Sequence, residues 1–148
     1  MDKRYLSPLE LLSIATQHAY CADYMLQQTT GSTRVKLGAE IDSLTPITSL
    51  MYQAFQLTLK AYCLHDHRPI KEYKNLMELV ELNLHLGFSS QELFLLKTLS
   101  RQQVFTKGIG YDLWDNQQQL HVFCEEIISL YARVQMLMPL ELQSDYLS

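Results

Sequence analysis

The sequence predicts an all-α fold, an antiparallel bundle of about five helices. Three features carry that expectation. Apolar residues recur three and four positions apart in five separate stretches. Two of those stretches open on a capping box, Ser7-Pro8-Leu9-Glu10 and Ser89-Ser90-Gln91-Glu92. No stretch of any length alternates apolar and polar residues as a half-buried strand would.

The first helix is expected from Ser7, with Pro8 at the first helical position, where its missing N–H costs nothing. Leu11, Leu12, Ala15, Ala19, Ala22 and Leu26 form its apolar stripe, and the alanines would let a neighbouring helix approach closely. It should end near Gln28. Residues 29–44 hold Gly31 and Gly38 among scattered apolar positions, and read as a flexible segment or a loop with a short turn near 39–43. The second helix starts with Thr45 as cap and Pro46 behind it. Leu50, Ala54, Leu57, Ala61 and Leu64 make its stripe, widened by Met51, Phe55, Thr58 and Tyr62. It should stop by Arg68, because the residue before Pro69 is pushed out of the α region.

A third helix is expected from about Pro69 to Leu86, with Tyr73, Leu76, Leu79, Val80, Asn83 and Leu84 inward or nearly so and Gly87 as its C′ residue. The fourth follows the second capping box with Leu93, Leu96, Leu99, Val104 and Phe105, and ends at Lys107-Gly108-Ile109-Gly110. The fifth is capped by Asp115 or Asn116. Its Leu120, Phe123, Cys124, Ile127, Ile128, Tyr131, Val134 and Leu137 are strongly periodic, and Met138-Pro139 closes it.

Length and composition bound the rest. At 148 residues the chain reads as one helical domain, 1–148, with a core at about 7–138 and a loose tail over 140–148. A chain of this length buries roughly 70% of its unfolded surface and needs no disulfide or metal to hold a core. The net charge of −4 argues against a surface that is basic all over, as strong non-specific nucleic-acid binders have. Cys21, Cys63 and Cys124 form no Cys-x-x-Cys, and an odd count fits a reducing cytoplasmic setting. The N-terminus lacks the apolar stretch of a signal peptide, and no apolar run approaches the roughly 18 residues that cross a bilayer, so no membrane association is expected.

The stretch 51–82 carries a family resemblance. It has a helix of the type Ala54-Phe55-x-Leu57-x-Leu59-Lys60-Ala61, then a break ending in a basic turn, then Asn75-Leu76-x-x-Leu79. These elements resemble the central part of HEPN domains, where many relatives read His-Asp-Leu-x-x-Leu in place of the last. HEPN domains are small helical bundles that occur as RNases, as toxins of toxin–antitoxin systems and as nucleic-acid-associated modules. The resemblance covers roughly residues 8–135. It implies a HEPN-like bundle that acts as a homodimer, in some relatives beside a nucleotidyltransferase-like partner.

Active HEPN proteins carry an Arg and a His separated by four to six residues, which position phosphate and move a proton. No arginine here has that histidine. After Arg101 the corresponding positions hold Thr106, Lys107 and Gly108, and Arg4, Arg34, Arg68 and Arg133 fail in the same way. Without an imidazole titrating near neutrality, acid–base help at a 2′-hydroxyl is hard to supply. No catalytic residue is therefore assigned. The expected function is a non-catalytic binding or regulatory module. The competing reading is an RNA- or nucleotide-processing enzyme built around Arg101, Lys107 and Tyr111.

Other motifs are weighed by their spacing. His65-Asp66-His67 looks like a metal triplet, but i and i+2 side chains on a helix point about 200° apart, so a polar helix C-terminus accounts for it better. No metal, phosphate loop or cofactor motif is expected. His18, His85 and His121 stand alone in the sequence. Arg68, Lys71 and Lys74, beside Tyr73, form a candidate anion site, and a solvated face with Lys74 paired to Glu78 explains them as well. The loop from Lys107 to Trp114 is the other binding candidate: Tyr111 and Trp114 offer flat surfaces to a partner or a nucleobase, and they would serve equally as a cap on the end of the core.

Overall fold

The structure, a computed structural model, describes residues 7–28, 45–67, 75–105, 117–140 and 142–143. Over these residues the chain is an all-helical bundle. Its elements are α1 (Pro8–Gln27), α2 (Thr45–His65), α3 (Leu76–Leu82), a 3₁₀ turn (Leu84–Leu86), α4 (Ser90–Phe105) and α5 (Gln117–Met136).

Local chemistry sets most of the boundaries. The Ser7 hydroxyl accepts the Glu10 N–H at 3.2 Å while the Glu10 carboxylate accepts the Ser7 N–H at 3.3 Å, closing the expected capping box. Ser89 and Glu92 do the same at 3.1 and 2.9 Å. α2 ends at His65, and His67 sits in the left-handed region at φ 55°, one of the few side chains that tolerate it.

α3 is shorter than the sequence pattern predicts. Asn75 is extended at φ −157° and its side chain accepts the Glu78 N–H, so a helix begins at Leu76 rather than running through from Pro69. Residues 68–74 lie outside the described residues, as do the expected turn at 39–43 and the Asp115 or Asn116 cap. Gly87 takes φ 79°, as a C′ glycine should, and ends the 3₁₀ turn. Leu84, expected to face inward, is 53% exposed, because the switch from α to 3₁₀ geometry after Asn83 rotates the following side chains. The tail expected from 140 begins with a turn in which the Leu142 N–H reaches the Pro139 carbonyl at 2.9 Å, and Leu142 is buried against the core.

α2 is the central helix and packs against all four others. Its inner line is Ile47, Met51, Phe55, Thr58 and Tyr62, with Ala54, Leu59, Ala61 and Cys63 also fully covered. A helix covered on nearly every side belongs at the middle of a bundle. α1 lies closest to it, backbone to backbone over much of its length. Ala15, Ala19 and Ala22 of α1 are buried, α2 carries the buried Ala54 and Ala61, and the missing side-chain bulk permits that approach.

α5 stands further from α2, spaced by large side chains. Phe55 and Tyr131 meet edge to face at 5.3 Å between centroids. Thr58 and Tyr131 share a hydrogen bond at 2.9 Å, and the Tyr62 hydroxyl donates to the Val134 carbonyl at 2.9 Å. Both pairings advance along the two helices together, so α2 and α5 run parallel. Gln135 reaches Thr16 while the start of α5 lies beside the end of α1, so α1 and α5 run antiparallel. No helix among the described residues is long and apolar enough to cross a membrane.

Candidate functional site

Of the residues expected to carry binding, the structure describes Arg101 alone, exposed on the last part of α4. Arg68, Lys71, Lys107, Tyr111 and Trp114 lie outside the described residues.

The described residues gather a different group. An open cleft of about 460 Å³ runs between the first turns of α4 and the middle of α5. Gln91, Glu92 and Leu95 line it from α4, and Glu125, Glu126, Ser129, Leu130 and Arg133 from α5. Leu95 and Leu130 are buried core residues whose edges form its floor.

Arg133 lines the cleft from α5. Its Nε and Nη2 donate to the two oxygens of Glu92 at 2.5 and 2.7 Å, a two-pronged pair. The guanidinium also lies 5.9 Å from the centre of the Phe88 ring. Glu92 is thus both the reciprocal cap of α4 and the anchor of α5. Burial alone would raise its carboxyl, but the Ser89 N–H, the hydrogen bond and charge of Arg133 and the Ser89 hydroxyl outweigh it, and the pKa lies below the usual carboxylate value. A carboxylate so committed is a poor proton acceptor. Sequence reasoning found Glu92 as a cap but not Arg133, which lies 41 residues on within an apolar pattern.

A second cleft, of about 410 Å³, opens on the other side of the same α5 face. Asp23, Leu26 and Gln27 of α1 face His121, Glu125, Ile128 and Ser129. His121 Nδ1 and Glu125 meet at 3.1 Å. Serine, imidazole and carboxylate in one cleft invite comparison with a nucleophilic triad, but the order is wrong. Glu125 stands between the other two, and an eight-residue separation on a helix is about 12 Å, so His121 cannot take a proton from Ser129.

Several buried polar groups tie the helices together. Asn83 is fully buried and its amide donates to the Leu79 carbonyl at 2.8 Å, with longer contacts to the Leu59 carbonyl and Cys63 Sγ, which pins the end of α3 to α2. Burial, and then the neighbouring Tyr131, push the Tyr62 phenol well above its ordinary value, so it stays protonated as a donor. His18 Nδ1 pairs with the Ile14 carbonyl of its own helix at 2.8 Å. Asp66 and His67 follow the end of α2 in a turn. Among the described residues, no three His, Cys, Asp or Glu side chains gather where they could hold a metal ion.

Compared with known proteins, the chain matches no family model, no curated protein and no solved structure.

Proposed function

We propose that this chain is a HEPN-like binding or regulatory module without catalysis of its own, acting through a macromolecular partner. One observation carries the reading: in the open cleft between α4 and α5 the ion pair of Glu92 with Arg133 is committed to holding the two helices together. The HEPN resemblance supports the same direction, since the Arg and His spacing of active relatives is missing from the sequence. From that resemblance the reading takes a homodimer and a place beside a second protein, of nucleotidyltransferase type in some relatives. A reducing, cytoplasmic setting belongs to the same proposal, supported by three free thiols of which Cys21 is exposed.

The test is a gel-filtration mass followed by an RNA-degradation assay on the purified chain and on Arg101→Ala. A dimer that leaves RNA intact is the expected result. Cleavage that Arg101→Ala abolishes would replace this reading with an RNA-processing enzyme.

A further inference from the structure

We infer that the α4–α5 cleft is the docking groove for a basic amphipathic helical segment of a partner protein. The inference rests on the binding-module reading and names the partner chemistry of that cleft.

The floor and the rim specify different things. Leu95 and Leu130, almost wholly buried, show only their edges at the floor between the two helices. Val122 lies one turn before Glu126 on α5, at 46% exposure, and extends the apolar surface along the same face. A groove between two helices with an apolar floor suits the apolar face of a third.

The rim supplies sign. Glu92, Glu125 and Glu126 stand against one guanidinium, and Arg133 is already committed to Glu92. Glu125 faces His121, which carries charge only when protonated. Glu126 is half-buried and makes no hydrogen bond or ion pair among the described residues. The uncompensated charge of the groove is negative. Lysine or arginine flanking an apolar stripe complements it, and an acidic segment would be repelled.

The same facts exclude other occupants. Phosphates of a nucleic acid would meet two carboxylates and no free cation of the lining. A small molecule is normally enclosed over most of its surface, and this cleft is open along its length.

The experiment uses the intact chain and a fluorescent synthetic peptide with Leu and Lys at helical spacing, followed by anisotropy. Controls are a scrambled peptide of the same composition and one with Glu in place of Lys. The patterned basic peptide should bind, more weakly as salt rises. Glu125→Gln with Glu126→Gln should weaken it about tenfold, and Val122→Ser should also reduce it, with an unchanged melting temperature showing that both variants fold. Hydrogen exchange should slow at 91–95 and 122–133 when the peptide is present. Equal binding of the scrambled peptide, no binding at all, no loss in the double Gln variant, or displacement of the peptide by single-stranded RNA would each overturn the groove. RNA cleavage by the unmodified chain would instead overturn the binding-module reading itself, so the two failures are distinguishable.

Discussion

Single side chains divide into those that packing decides and those that a distant partner decides. Phe123 is of the first kind. It lies on the periodic face of α5 and is 5% exposed in the structure. Phe123→Ala should cost roughly 3–5 kcal/mol in denaturant unfolding, the range for emptying a large aromatic site. A loss below about 1 kcal/mol would show that the ring is not core. Tyr62 is of the second kind. Its place on the α2 stripe was legible, but the Val134 carbonyl that accepts its hydroxyl was not, because nothing local announces a hydrogen bond across 72 residues. That carbonyl also receives the Leu137 N–H, so Tyr62→Phe removes one bond without orphaning the acceptor and should cost about 0.5–1.5 kcal/mol. The variant also has a pH signature. The folded pKa of Tyr62 is raised, so its contribution is complete below the unfolded value of about 10 and is lost as pH rises beyond that. Unfolding curves of Tyr62→Phe should therefore lose less stability than the parent between neutral and strongly alkaline pH.

At the scale of elements, helix starts were the most legible feature because their chemistry is local. Both capping boxes formed where the residues placed them. Ser89→Ala should cost about 0.5–2 kcal/mol, readable as a shift in the denaturation midpoint at constant slope. Gly87→Ala should cost about 1–2 kcal/mol although a Cβ there meets nothing, since φ 79° is strained for alanine. The start of α3 was misread because an apolar period runs on across Asn75, whereas the side-chain cap that breaks it is a matter of backbone conformation. The joint between α4 and α5 was invisible in sequence for the reason given by its separation. A double-mutant cycle on Glu92→Gln and Arg133→Gln should return a favourable coupling of roughly 0.2–1 kcal/mol near neutral pH, given partial exposure of both partners. Glu92 has a lowered folded pKa, so the coupling is complete above the unfolded carboxylate value of about 4.3 and is lost as pH falls through the lower folded value. Coupling that persists unchanged into strong acid would show that charge is not its source.

For the whole molecule, periodicity established an all-helical bundle but could not rank its contacts. Long apolar stripes in the sequence mark the second and fifth helices as the central pair, and α2 does pack against every other helix, with α5 against three of them. The closest backbone approach is between α1 and α2, where alanine permits it, while Phe55 and Tyr131 meet between α2 and α5. The small-residue signal for that approach was also present in the sequence. The cleft between α4 and α5 was not legible, since its walls come from two helices whose meeting depends on the third dimension alone. The proposed function is contact without turnover. The most direct measurement is the rate of single-stranded RNA cleavage by the purified dimer or monomer across pH 5 to 9, with Arg101→Ala and a buffer blank alongside. The expected rate equals the blank at every pH, because no imidazole in the sequence stands at the spacing from an arginine that general acid–base help would use. A rate above the blank that changes through the histidine range and disappears in Arg101→Ala would contradict it.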